Sequence, residues 1–238
     1  MKVLTVASLK GGVGKTTLAV FLAQAIATRG HSVLVIDADP NNNATDFLCR
    51  DSDPDTIEAA NLYHVLTGRA TLADSIHPAG FGLSVLPCTP SLHRVSVELG
   101  TNPNSVLRFA SNLRKLDFDF AIIDTPPALG YELRAALFCA DSVLSPIHGS
   151  RWALQALEIL REEIETVAEG TDRAPRLHVV PSIVTEKEAQ ALRDVLPGLT
   201  RTAITKSAAV KTAGARSKRL TEKAKSWGEF VRLAKEIA

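Results

Sequence analysis

The stretch "SLKGGVGKTT" (residues 8–17) constrains this chain more than any other part. It stands between an apolar run that reads as a strand, Val3–Ala7, and a helical pattern that starts near Lys15. A glycine-rich turn from a buried strand into a helix N-terminus points several backbone N–H groups at one spot, where a phosphate can sit. Gly11, Gly12 and Gly14 permit that turn, Lys15 is placed to reach the outer phosphates, and Thr16 offers a hydroxyl to Mg2+. The candidate nucleotide-contacting stretch is thus Gly11, Gly12, Val13, Gly14, Lys15, Thr16 and Thr17. Two details depart from the general pattern G-x-x-x-x-G-K-[ST]. Leu9 stands where the first glycine belongs, and a second lysine, Lys10, follows it.

Further apolar, β-rich runs follow at 32–37, 83–88, 120–124, 142–147 and 177–184, alternating with helical patterns over 15–28, 56–67, 103–115 and 150–168. Runs apolar on both faces need helices on both sides of a mostly parallel sheet, so the expected fold is α/β in three layers. On the first helix Leu18, Phe21, Leu22, Ala25 and Ile26 share a face and Gly30 is the stop. Residues 40–60 are polar and turn-rich and read as a surface excursion within one domain spanning 1–238. No apolar run reaches the roughly 18 residues of a membrane span, and the N-terminus reads as a strand rather than a signal peptide. Cys49, Cys88 and Cys139 are scattered, with no C-x-x-C pair. That spacing argues against a disulfide framework or zinc site and for a reducing cytoplasm.

Two strands end on acids. Asp124 closes "FDFAIID", and a carboxylate at the end of so apolar a run is costly unless something pairs with it. Asp37 and Asp39 sit at the mouth of "VLVIDAD", two residues apart and so on one side of an extended chain. Asp124 joins Thr16 as a candidate Mg2+ residue, and the two carboxylates at 37 and 39 face the edge where the outer phosphate would sit.

Charge is unevenly spread. Residues 201–238 hold ten Lys/Arg against three acids, whereas the remaining chain is net acidic. The stretch 201–225 supplies Lys206, Lys211, Arg216, Lys218, Arg219 and Lys223 without interleaved aromatics. Such a patch suits the phosphates of a duplex irrespective of sequence better than it suits base stacking. A closing helix over 226–237 starts at Ser226 and Glu229, spaced as a capping box, with Trp227, Phe230, Val231, Ala234 and Ile237 along one face. Docking of this helix on the domain is the ordinary expectation, and lipid insertion is the alternative.

"KGGVGKTT", "VIDADPNNNAT" and "DFAIIDTPPALG" together resemble the ParA/MinD group of deviant Walker A ATPases, and within it the ParA/Soj partition proteins. The resemblance implies a nucleotide-sandwich homodimer using ATP and Mg2+. Lys10 matches the lysine that reaches the partner subunit's nucleotide, Lys15 the phosphate-binding lysine, Asp39 the carboxylate that positions the attacking water, and Asp37 a carboxylate beside the Mg2+ site, a further candidate metal residue. Adenine contacts would come from the region of Pro181 and Ser182 and from the later "AITKSAAV". The family usually reads D-P-Q-G-N-A-T where this chain has Asn41 and Asn42, and Asn is tolerated in the left-handed conformation that glycine would supply. The implied partners are non-specific double-stranded DNA and a ParB-like protein that stimulates hydrolysis. The implied location is cytoplasmic, on the nucleoid, without stable membrane association. A MinD-like membrane protein, or an ATPase positioning another cargo, is the competing expectation.

Overall fold

Strands apolar on both faces are stable only between two layers of helices, and the chain builds that arrangement. The structure is a computed structural model describing residues 1–100, 103–171 and 173–237; residue 238, the end of the expected domain, lies outside the described residues. Strand β1 (Lys2–Val6) passes through the glycine loop into helix α1 (Lys15–Ala27), and β2 (Val33–Asp37) follows. Three short helices, α2 (Asn43–Leu48), α3 (Pro54–Ala59) and α4 (Leu62–Thr67), precede β3 (His77–Ala79) and β4 (Leu83–Leu86). Helices α5 (Val95–Leu99) and α6 (Pro103–Leu113) lead to β5 (Phe120–Asp124), then α7 (Tyr131–Cys139) and β6 (Ser142–Ile147). The chain ends through α8 (Arg151–Glu169), β7 (Arg176–Val184), α9 (Glu186–Val195), β8 (Ile204–Thr205), α10 (Ala208–Ala215) and α11 (Lys225–Ile237).

The eight strands form one sheet in the order β3-β4-β2-β5-β1-β6-β7-β8, parallel throughout except for β3 at one edge. Its centre is β2-β5-β1, and the register there matters for chemistry. Asp124 lies opposite Val6 on one side and Asp37 on the other. Both acids therefore emerge side by side at the carboxyl ends of their strands, where β1 gives way to the glycine loop. Crevices at that edge of a parallel sheet are where ligands of such folds bind.

Each face of the sheet has its own apolar layer. Leu18, Phe21, Leu22, Ala25 and Ile26 of α1 are all buried, together with Trp227, Phe230, Leu233, Ala234 and Ile237 of α11. The Phe21 and Phe230 rings lie 5.5 Å apart. On the opposite face Tyr63, Leu66, Phe109, Leu113 and Ala136 pack on β2 and β5. Most apolar residues of α11 are thus committed to the core, and Val231 lies half-buried against it. Among the described residues no helix is long and apolar enough to cross a membrane.

Several elements differ from expectation, each for a tertiary reason. The helix expected over 56–67 is two helices: Asn61 donates back to the Ile57 and Glu58 carbonyls and its side chain caps the next helix at Tyr63 N. The polar excursion at 40–60 contains α2 and α3, and α2 begins at Asn42, which sits at φ 48 in the left-handed conformation. The capping box at the start of α11 is not formed. Glu229 instead accepts from the backbone and hydroxyl of Thr205 on β8 at 2.9 and 2.7 Å, and Ser226 Oγ pairs with Ser207 Oγ at 3.3 Å. An edge strand two residues long needs such partners, and a local cap would compete for the same carboxylate.

Because Phe230 is fully buried against Phe21, Phe230→Ala should lower the unfolding free energy by about 3–5 kcal/mol. Denaturant titration followed by circular dichroism reads this directly, and a change under 1 kcal/mol would mean that α11 is not part of the core.

Candidate nucleotide site

The loop between β1 and α1 takes its shape from two glycines. Gly12 and Gly14 have φ of 75° and 88°, and Gly14 is the N-cap of α1. A Cβ on Gly14 would stand 3.1 Å from Ile183 Cδ1, a side-chain end that would have to give slightly, so the left-handed backbone is what favours glycine there. Gly11, Gly12, Gly14, Lys15, Thr16 and Thr17 line a cavity of about 470 Å3, joined by Asp39 and Asn41. Val13 is buried beneath the loop. A second cavity of about 620 Å3 adjoins the first and shares Gly14, Thr17 and Gly214 with it. The two form one cleft, polar at the glycine loop and mostly apolar at its far end, as suits a ligand with a charged tail and a flat hydrophobic head.

Electrostatics set the first cavity apart. Lys15 is buried, and its amine reaches the Lys10 carbonyl at 3.4 Å across the loop. Loss of water lowers the Lys15 pKa, while the Asp124 and Asp39 charges pull it back up. Asp37 accepts from Asp39 N at 3.1 Å and from Thr45 N and Oγ1 at 2.8 Å each, yet burial still raises its pKa to about 6. Burial and the neighbouring Asp37 hold Asp124 well above the ordinary carboxylate range. Neither Asp124 oxygen has a hydrogen-bond partner; the Thr16 hydroxyl lies close enough to favour the charged form without reaching bonding geometry. Asp39 Oδ1 is held by Asn41 N and Nδ2 at 2.9 and 3.0 Å.

A fully buried carboxylate with two unpartnered oxygens is the signature of a group that awaits a cation. Three carboxylates around one lysine leave surplus negative charge, which a divalent ion relieves and a bare polyphosphate would worsen. Among the described residues no group of three or more His, Cys, Asp or Glu could hold a metal by itself. That fits Mg2+, which takes one or two protein oxygens and completes its shell from phosphate and water. The unpartnered oxygens of Asp124 lie near the Thr16 hydroxyl, whereas both oxygens of Asp37 are engaged, Oδ1 by Asp39 N and Oδ2 by Thr45 at the start of α2.

The remaining expected residues divide. Lys10 is half-buried and absent from the lining of its own cavity. Ser182 lines the second cavity and Pro181 does not. Lys206 and Lys211 also line that cavity, with Lys206 paired to Glu188 at 3.2 Å. Arg216, Lys218 and Arg219 border a separate groove, and Lys223 is exposed beyond it. Residues that the sequence did not single out include Asp46, Phe47 and Pro127 in the first cavity and Ile183 in the second, whereas Ile204 and Val210 of the expected "AITKSAAV" stretch do line the second. Pro127 could have been read from its place just after Asp124. Ile183 could not: it stands at φ 56, rare for a β-branched residue, where β7 shifts register against β8.

The AAA domain family matches residues 1–177. The "Chromosome-partitioning ATPase Soj" of Thermus thermophilus is 35% identical over 189 residues, which cover 79% of this chain and 71% of that protein. The "Chromosome partitioning protein ParA" of Myxococcus xanthus is 36% identical over 172 residues, covering 71% of this chain and 60% of that protein's length. Among solved structures, the ATP complex of a Cyanothece McdA variant superposes with a TM-score of 0.86 at 26% identity, covering 100% of this chain and 97% of that one.

If Asp124 awaits a cation, removing its charge should stabilise the nucleotide-free protein. Asp124→Asn should raise the unfolding free energy by about 1–2 kcal/mol. The pH dependence has a fixed sign. Asp37 binds its proton more tightly when folded, with a pKa of about 6 against 3.8, so its contribution improves as pH falls through 6 towards 3.8 and is lost as pH rises again. Thermal unfolding of the apo protein and the variant across that range checks both. An Asp124→Asn protein less stable than wild type would sink the cation argument.

Proposed function

We propose, for a chain that belongs to the ParA/Soj family of partition ATPases, a switch in which ATP and Mg2+ join two subunits, the joined pair holds DNA without regard to sequence, and hydrolysis releases it. The observation that carries this reading is the division of the two loop lysines. Lys15 lies inside its own subunit's cavity beside Asp39 and Asp124, whereas Lys10 is left out of that cavity. A lysine on the loop yet outside its own site is available to a neighbour's site.

In this reading the backbone of Gly11–Thr17 receives the phosphates, and Lys15 neutralises the outer ones. Thr16 and Asp124 would hold Mg2+, which would supply positive charge to screen the phosphates. Asp39, fixed by Asn41, orients the attacking water through its carboxylate. Lys10 from the second subunit supplies positive charge to the transferred group, the task of an arginine finger in other phosphoryl-transfer sites. The larger cavity takes the nucleoside, with Ile183, Ile204 and Val210 as apolar walls and Ser182 as a polar contact. ATP is the nucleotide of the McdA complex to which the fold is similar.

Duplex binding is assigned to Arg216, Lys218, Arg219 and Lys223, all exposed. Joining two subunits doubles the phosphates that can be neutralised at once, so dimerisation itself gates retention on DNA. A ParB-like partner that accelerates hydrolysis would complete the cycle, and the protein would then reside on the nucleoid in the cytoplasm. The likeness to the "Maintenance of carboxysome distribution protein A" of Synechococcus elongatus, 34% identical over 160 residues, supports a second reading, in which the same cycle positions another cargo. The two differ in what the stimulating partner is attached to, and identification of the partner by affinity capture with ATP present separates them.

Lys10→Ala should lose about 10³-fold or more of partner-stimulated hydrolysis while retaining nucleotide binding. Asp39→Ala with ATP should accumulate as a dimer on DNA, read by sedimentation velocity and duplex retention. An Asp39→Ala protein that stays monomeric and off DNA with ATP would falsify the switch. With about eight phosphate contacts per dimer, log K for duplex should fall against log salt with a slope near −7.

A further inference from the structure

The basic stretch that is continuous in sequence is divided in space by α10. Val210, Lys211 and Gly214 face the nucleotide side, and Gly214 lines both cavities of that cleft. Ala209, Thr212 and Ala213 face the other way, onto a groove of about 370 Å3 whose rim carries Arg216, Lys218 and Arg219. Spacings of three and four put each set on its own face of the helix. One helix therefore separates the proposed nucleoside pocket from the proposed duplex groove.

That helix is lightly held. Of its eight residues only Ala213 is buried, and its side chains are mostly alanine, with a glycine in the last turn. A helix that buries so little apolar surface shifts at small cost. A second connection runs through α2. Asp37 holds Thr45 at the start of that helix, and Arg50, just beyond its end, donates from Nη1 to Ser217 Oγ at 3.2 Å. Ser217 lies between Arg216 and Lys218 on left-handed backbone at φ 48. The basic rim is thus joined to the nucleotide cleft on two sides, through α10 and through the Arg50–Ser217 hydrogen bond.

We propose that these two connections couple nucleotide binding to the placement of the Arg216, Lys218 and Arg219 cations inside one subunit, so that ATP tightens duplex binding beyond what dimerisation alone contributes. The inference rests on the DNA-switch reading above. A ligand that seats against Val210 and Lys211 changes where α10 lies, and with it the spacing of cations that must match successive phosphates. Coupling of this kind is reciprocal, so the duplex strengthens nucleotide binding by the same factor.

The test compares wild type, Ser217→Gly and Ser217→Asn. Glycine removes the hydroxyl and keeps the left-handed backbone, and asparagine keeps both the backbone and a hydrogen-bonding side chain. Affinity for a labelled 24-base-pair duplex is measured by anisotropy with and without a non-hydrolysable ATP analogue, and dimer fraction is measured in parallel by sedimentation velocity. The expected result is an enhancement by the analogue of about tenfold in wild type, about threefold or less in Ser217→Gly at unchanged dimer fraction, and recovery in Ser217→Asn. Equal enhancement in wild type and Ser217→Gly overturns the coupling and leaves the switch standing. A fall in dimer fraction that accounts for the loss also overturns it. Absence of duplex binding by wild type in every nucleotide state removes the switch reading itself, and the coupling with it.

Discussion

Three carboxylates and one buried lysine share the ends of adjacent strands, and the rest of the structure follows from accommodating them. Asp37 and Asp124 are side by side in register on β2 and β5, and Lys15 comes from the loop that leaves β1 between β5 and β6. Desolvation works against the buried charges here, raising the pKa of Asp37 and Asp124 and lowering that of Lys15. A cluster with excess negative charge and unpartnered oxygens is a poor stability device, because buried charges need close partners to offset their lost water. It is a good receptor for a polyphosphate that arrives with its cation. The electrostatic cost of gathering these charges and their affinity for a polyphosphate with its cation have the same origin.

Around that cluster each neighbouring element has one side on the nucleotide and another elsewhere. Helix α2 starts on the Asp37 carboxylate and ends near the basic loop. Helix α1 carries the phosphate loop at its N-terminus, and its buried Phe21 packs against α11. Helix α10 separates two cavities with few buried side chains to anchor it. The firmly packed elements, α1 and α11, give the site its fixed geometry. The lightly packed one, α10, is the element on which a ligand can act at low cost.

The local features of the site were legible in the sequence because they are contiguous. The glycine loop, Lys15, Thr16, Asp39 and Asp124 all lie at strand ends that apolar periodicity marks clearly, and the six long strands stand out for the same reason. Asn42 adopts the left-handed conformation that its place in "DPNNNAT" suggests. Less was legible where the partner is distant in sequence. The Ser226–Glu229 pair has capping-box spacing, but Glu229 bonds Thr205 instead, since an edge strand offers it an N–H and a hydroxyl. The two-residue strand β8 carries almost no periodicity of its own and exists through β7 and α11.

The sequence by itself determined the fold class, the loop that faces phosphate and the acids that accompany it, because these depend on hydrophobic period, glycine placement and strand ends. Tertiary structure alone decided how the cations of residues 201–225 are shared out. Lys206 and Lys211 line the nucleotide cleft, while Arg216, Lys218 and Arg219 border a separate groove. Charge counted along a chain has no direction. A helix one layer thick gives it two faces, and which cation meets which ligand is settled only when that helix is set against the sheet.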